Sequence, residues 1–393
     1  MALSADTNFH RRVSPRRGAA LAGVMLAAGL SQAQQPPAEG AQSLKYGIAA
    51  QAGPMDSVLL KDYAPASSLV VPATSVAKAR FAVIDAHSHT SMSGIKTAED
   101  ADAWVRTMDA AGVERTIVFS DATGPDFDRQ VGWYLRRHPG RFQLWCSLYA
   151  GDVEDPGYAA RAVAEIERCY RLGARGVGEV TDKGWGVESD EEHALPRARR
   201  MHFDDPRLDP VWRKCAELGL PVNFHIADHP SCWQPLGPRQ ERTPDFQHFN
   251  LHGKDVPSFD ELLASRDRML ARHPKTIFIA CHLSNQGHDT ASLAAALDRF
   301  PNLYLDISAR DYELGRQPRT AAKFLARYRD RILFGTDMGR DLEMYRGWWR
   351  LLETADEYLP GRIWWRYYAL DLPDEVLEAL YRGTALRVLH WDR

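Results

Sequence analysis

The chain lacks several features that would have assigned it quickly. It has five cysteines (Cys146, Cys169, Cys215, Cys232 and Cys281) and no Cys-x-x-Cys pair. An odd number cannot all pair within one chain, so a disulfide scaffold or a zinc ribbon is excluded as the organising device. The cysteines read instead as small buried hydrophobes. No internal repeat is present, and no glycine-rich phosphate loop follows the first predicted strand, which argues against a doubly wound nucleotide-binding sheet. The 393 residues carry a formal net charge of only −3, so the composition offers no polyanion-binding surface and nucleic acid is not an expected partner. No apolar run is long enough for a stable membrane span.

The N-terminus is the exception to this even composition. His10-Arg11-Arg12 and Arg16-Arg17 precede an uninterrupted small and apolar run from Gly18 to Leu30, followed by Ser31-Gln32-Ala33. Basic region, short apolar core and small-residue cleavage site are the three parts of a secretory signal. Residues 1–33 are therefore expected to be a signal peptide, and the protein to be exported to the periplasm or beyond. The paired arginines leave the choice of export route open. Residues 34–79, rich in Ala, Pro, Ser and Gln, read as a linker and N-terminal arm.

From residue 80 to 393 short apolar β-like runs alternate with amphipathic helical ones. The runs predict strands over Phe81–Ala86, Thr116–Ser120, Phe142–Tyr149, Ala174–Val180, Pro221–Ile226, Thr276–His282, Asn302–Ser308 and Arg331–Asp337. Helices are predicted over Ala98–Ala111, Asp126–Arg137, Tyr158–Arg171, Pro206–Leu218, Phe259–Arg272, Thr290–Arg299 and Thr320–Arg329. Near-continuous apolar strands suit a parallel sheet covered on both faces. Eight strands alternating with helices predict an α/β fold, a (β/α)8 TIM barrel.

In such barrels chemistry sits at the C-terminal ends of the strands. The first strand ends in His87-x-His89, whose side chains share a face at strand spacing. Strand four ends near Glu179, strand five in His225, strand six in His282 and strand eight in Asp337. Each residue alone has an ordinary reading as a surface or hydrogen-bonded group. Their recurrence at one topological position points to a metal site. Asp85, one layer deeper than His87, reads as support. Between Ala227 and Pro257 a long insertion after strand five could serve as a lid. Its His229, His248 and His252 read as loop-packing or solvated residues.

Asp85-x-His87-x-His89, His225, His282 and Asp337 resemble the amidohydrolase superfamily. Leu333-Phe334-Gly335-Thr336-Asp337 and Gly383-Thr384-Ala385-Leu386-Arg387-Val388-Leu389 resemble the closing segments of its amidohydrolase-related branch, which holds both decarboxylases and lactonases. Thr384 stands where relatives commonly have Asn, a difference expected to bear on a helix start.

The resemblance implies a divalent metal, zinc first among the candidates, held by His87, His89, His225 and Asp337. The metal would bring the pKa of a bound water to roughly 7. Asp337 would take the water's proton, and His282 would orient or polarise the substrate. Glu179 is either a carboxylate bonded to a neighbouring basic or metal-ligating group, or a bridge to a second metal that would have His225 and His282 as its ligands. Arg310 would grip a substrate carboxylate or pair with Asp311 or Asp306. Lys183, Trp185 and Asp228 lie on loops at the predicted mouth, and Trp185 and Asp228 are candidate substrate contacts. The expected activity is metal-dependent hydrolysis of a lactone, ester or amide. The alternative is nonoxidative decarboxylation of an unsaturated or aromatic acid. The expected partner is a small-molecule substrate, with a homo-oligomer left open.

Overall fold

The structure, a computed structural model, describes residues 53–54, 56–149, 151–242, 247–361, 365–389 and 391. The expected signal segment, residues 1–33, lies outside them. The chain forms two units, Met1–Ser68 and Leu69–Arg393. In the first, the described residues carry one 3-10 turn, Leu60–Asp62. The second unit begins ahead of the expected barrel start at residue 80. The reason is that Thr74 donates its backbone N and Oγ1 to Asp356 (2.7 and 2.8 Å), and Ala79 N donates to Ala111 O.

Eight parallel strands order this unit: β1 Val83–His89, β2 Val113–Phe119, β3 Phe142–Trp145, β4 Val177–Asp182, β5 Val222–Ile226, β6 Phe278–Ala280, β7 Leu303–Asp306 and β8 Ile332–Leu333. Ladders run β1-β2-β3 and β4-β5-β6-β7-β8. Backbone hydrogen bonds continue across both seams. Cys146 bridges Val177 between β3 and β4. Ala86 N donates to Phe334 O (2.9 Å) and Asp337 N to His87 O (2.8 Å) between the end of β8 and β1. The fold is the TIM barrel that the alternating pattern predicts.

All seven residues of β1 are buried, as a strand walled on both faces requires. Inside the ring, Ile84, Ile117, Phe119, Trp145, Ile279 and Leu333 pack with Val388 and Leu389 of the last helix, Thr384–Leu389. Thr384 does stand at that helix start, buried, with Oγ1 donating to Arg329 O (2.7 Å). A larger apolar layer fills the space between strands and helices.

Helix boundaries follow local chemistry. Ala98–Ala111 opens with a Thr97/Asp100 capping box and closes at Gly112, whose φ of 90° suits the absent Cβ. Phe259–Arg272 opens with a Ser258/Glu261 capping box. The expected helix over Asp126–Arg137 is α-helical over Gly124–Val131 and continues as a π-helical turn, Gly132–Arg136. The one expected over Thr320–Arg329 starts earlier, as Asp311–Arg316 and Pro318–Arg327.

β2, β3 and β7 stop one to four residues short of their expected ends, at Phe119, Trp145 and Asp306, and so do β6 and β8, these two each for a visible reason. β6 ends at Ala280 because His282, Leu283, Ser284 and Asn285 all adopt left-handed backbone, with φ between 53° and 56°. β8 ends at Leu333 because the following residues turn to hydrogen-bond β1. Both departures occur at the face where the expected site residues gather.

Candidate metal centre

His87 and His89 project from the last residues of β1. Their Nε2 atoms approach to 3.3 Å, and Asp337 Oδ1 lies 3.4 Å from each. Glu179, in the middle of β4, reaches between two groups of side chains. Its Oε2 lies 3.2 Å from His89 Nε2 and 3.9 Å from His87 Nε2. Its Oε1 lies 2.8 Å from His225 Nδ1, 3.4 Å from His282 Nε2 and 2.9 Å from Cys281 Sγ. The expected set of His87, His89, His225 and Asp337 is thus divided by Glu179: His225 stands on the Oε1 side and His87 and His89 on the Oε2 side, while Asp337 lies within 4.8 Å of both His87 and His282.

The outward nitrogen of every imidazole is engaged. His87 Nδ1 donates to Asp306 Oδ2 (2.9 Å) and His89 Nδ1 to Asp121 Oδ1 (2.7 Å). His225 Nε2 donates to Asp228 Oδ1 (3.2 Å), and His282 Nδ1 donates to the backbone carbonyl of Ser308 (2.9 Å). With the outer N–H committed, a neutral ring turns its lone pair inward. Two such lone pairs would face each other across 3.3 Å at His87 and His89, and two more would face Glu179 Oε1. Only a shared cation or added protons relieve that arrangement. The donor set therefore fits a divalent ion, and the outer acceptors are the kind that orient metal-binding histidines.

Electrostatics agree. Burial works against a charged His89, but hydrogen bonds to Asp121 and Glu179 outweigh it and push its pKa up to about 9. Burial likewise opposes ionisation of Glu179, yet the charge and hydrogen bond of His225 hold it well below the usual carboxylate range. Asp337 is held low in the same way, with contact to His87 overcoming burial. His282 behaves oppositely, since burial lowers its pKa.

Supporting residues fix the geometry. Asp306, fully buried, also accepts from Asn223 Nδ2 (3.1 Å) and from the backbone N of His282 and Ser308 (both 3.1 Å). Asp85 accepts from Thr336 N and Oγ1 (3.0 and 2.7 Å) and from Tyr345 OH (2.7 Å), which ties β1 to the segment bearing Asp337. Asp121, Ser308 and Cys281, and the role of Asp306 toward His87, were not evident from the sequence.

The remaining expected residues are placed as follows. Arg310 is 8% exposed and pairs with neither Asp306 nor Asp311. It donates to Ala309 O (2.9 Å) and to Asn285 Oδ1, and its Nε stands 3.8 Å from Glu313. Asp228, besides holding His225, faces Lys183 Nζ at 3.5 Å. Trp185 joins a side cluster with Cys232, Leu251 and Val256, under Arg200. The insertion after β5 is tied to itself through Trp233 Nε1 and Pro257 O (2.9 Å), and His252 Nδ1 donates to Trp233 O. His229 accepts from Ser231 N at the start of the Pro230–Trp233 turn. An apolar cavity of about 340 Å³ lies against Ala309, Thr336 and Met338, which flank Arg310 and Asp337 in the chain.

The family model described as Amidohydrolase matches residues 84–391. The chain belongs to the amidohydrolase family. It is thus an enzyme of a superfamily that generally uses a divalent metal, and its histidine and carboxylate cluster lies where such an ion would be held. Solved structures similar to this amidohydrolase include an uncharacterized TIM-barrel protein from Bordetella bronchiseptica (19% identity, 79% of this chain and 99% of that one, TM-score 0.48). Another is 2,6-dihydroxybenzoate decarboxylase from Rhizobium (17% identity, 80% and 100%, TM-score 0.47). A third is a probable 2-pyrone-4,6-dicarboxylic acid hydrolase from Acinetobacter baumannii (11% identity, 78% and 99%, TM-score 0.48). No curated protein matches the chain. Among the described residues no helix is long and apolar enough to cross a membrane.

Proposed function

We propose that this amidohydrolase is a metal-dependent hydrolase of a C–O or C–N bond in a small lactone, ester or amide, with zinc as the metal best suited to its nitrogen and carboxylate donors. The observation that carries the reading is the placement of Glu179, whose two oxygens address two different sets of donors as a bridging carboxylate would. Bound in this site, a divalent metal supplies Lewis acidity and makes water acidic enough to ionise near neutral pH.

The chain's own residues divide the remaining work. His87, His89 and Asp337 bind, with their outer partners keeping the inward lone pairs available. Asp337 stays ionised, so its carboxylate accepts the proton of an attacking water. His282, kept neutral by burial and held through Nδ1 by Ser308 O, keeps its Nε2 lone pair toward Glu179 Oε1. Arg310 holds an acidic or polar group of the substrate, and Asp228 fixes His225.

A second reading, nonoxidative decarboxylation, is favoured by one observation. Arg310 Nε is buried, 3.8 Å from Glu313 and without a hydrogen bond, so its N–H is available to a carboxylate that approaches more closely, such as a substrate's. An activity screen of the metal-loaded protein with lactones, amides and aromatic carboxylates tests both. Acid release that consumes water supports hydrolysis; carbon dioxide without water addition overturns it. Export is part of the same proposal, resting on the Arg11-to-Ala33 pattern. N-terminal sequencing of the protein recovered outside the cytoplasm, starting near residue 34, is its check.

A further inference from the structure

We propose that Cys281 is a metal ligand, and that its thiolate joins Glu179 Oε1, His225 Nδ1 and His282 Nε2 around the second ion that a bridging Glu179 implies, making that half of the centre a sulfur-containing one. The inference rests on the metal-dependent reading of the centre. Cys281 is fully buried, and the donor atoms of these four residues all lie within 4.8 Å of one another.

The backbone supplies the second observation. Neighbouring residues of a strand point to opposite faces, so Cys281 and His282 should not address the same atom. They do, because Cys281 is extended (φ −69°, ψ 161°) while His282 opens the left-handed run. Four successive non-glycine residues in this region are unfavourable, and such strain persists only where the surroundings over-determine it. Here they do. Asp306 takes His282 N (3.1 Å). Arg266 Nη1 donates to Ser284 Oγ and Gln286 Oε1 (2.7 and 2.6 Å). Asn285 Nδ2 donates to Ile226 O and Ala227 O (3.0 and 3.1 Å). The result of this anchoring is that two consecutive side chains converge on one carboxylate oxygen.

The chemistry of the set selects its ion. Two imidazoles, a carboxylate oxygen and a thiolate suit four-coordinate zinc and disfavour magnesium, calcium and manganese. Binding forms a sulfur–metal bond from a thiolate lone pair, and the displaced thiol proton leaves to water. No electron is transferred. Cys146, Cys169 and Cys215 lie in the main apolar core and Cys232 in the side cluster, so a sulfur signature from this protein reports Cys281.

Cobalt(II) titration of the full chain after chelation is the test. The expected result is two bound ions, with a thiolate-to-cobalt charge-transfer band in the near ultraviolet. In Cys281→Ser the band is lost and one of the two ions is bound much more weakly. Two cobalt ions without the band, or a band that survives Cys281→Ser, overturns the proposal and leaves the metal-dependent reading intact. No cobalt bound at any ratio overturns both. Should the variant fail to fold, X-ray absorption on the zinc-loaded wild type decides. A sulfur shell at about 2.3 Å supports the ligand, and its absence overturns it.

Discussion

His87 Nδ1 donates to Asp306 Oδ2 across 2.9 Å, between two side chains with no exposed surface. Asp306 thereby dictates which nitrogen of His87 carries the proton and leaves Nε2 facing Asp337. Asp306→Asn keeps the volume but can present its amide NH2 to Nδ1, which reverses the tautomer. Metal affinity is expected to fall about 10–100-fold while the chain still folds. Competition with a chromophoric chelator measures it, and an unchanged affinity would show that the carboxylate does not orient the ligand.

Much of this centre was legible in the sequence because histidines and acids at strand ends are rare enough to be noticed together. The strands were legible because walls on both faces make them continuously apolar. The rest depends on contacts that no local pattern carries. Asp306 and Asp121 are ordinary strand-end or loop acids until the barrel closes and brings them to His87 and His89. Cys281 reads as a buried hydrophobe because strand alternation turns it away from His282, and only the left-handed backbone turns it back. Arg310 left two alternatives open, and its engagement by Asn285 across the loops was in neither.

Metal uptake should release protons. Hydrogen bonds to Asp121 and Glu179 push the pKa of His89 up to about 9 against burial, which favours a proton on both of its nitrogens at pH 7 when no metal is bound. A metal needs the Nε2 lone pair, so that proton must leave. Apparent affinity should rise about tenfold per pH unit for each proton displaced, and the His89 contribution should level off above its pKa. Calorimetry at pH 7 in buffers of different ionisation enthalpy counts the protons. A count of zero contradicts the titration behaviour assigned to His89.

Away from the centre, Glu165 joins two helices. It accepts from Gly124 N (2.7 Å) and from Arg168 Nε and Nη2 (2.8 and 2.7 Å). The Arg168 hydrogen bond, followed by the backbone one, lowers its pKa from 4.5 to about 2 despite partial burial. The folded state therefore binds fewer protons than the unfolded state between these values. Its stabilisation is complete above about 4.5 and is lost as pH falls through about 2. Glu165→Gln should cost roughly 1–2 kcal/mol at neutral pH. Denaturant unfolding at several pH values should show that gap closing in acid, and a gap independent of pH would refute the linkage.

Gly335 explains a motif that the sequence only displayed. In Gly335-Thr336-Asp337 the threonine bonds Asp85 and the aspartate faces the histidines. The glycine leaves room for β1: a Cβ added there would lie 2.8 Å from His87 Cβ and 3.3 Å from His87 N. Neither neighbour is a flexible side-chain tip, so relief requires β1 and the Asp337 segment to part. That seam is held by Ala86 N to Phe334 O and by Asp337 N to His87 O. Gly335→Ala should therefore destabilise the chain by about 1–3 kcal/mol through overpacking. It should also weaken metal binding, because the shift separates His87 from Asp337. Gly347→Ala is the control, since a Cβ at that helical position meets nothing within 4 Å. Its stability should hold or rise slightly, as removing a helix glycine predicts. Thermal unfolding and metal titration of the two variants side by side separate a contact at the seam from a general intolerance of added methyls. Equal behaviour of the two would disprove the steric account of Gly335.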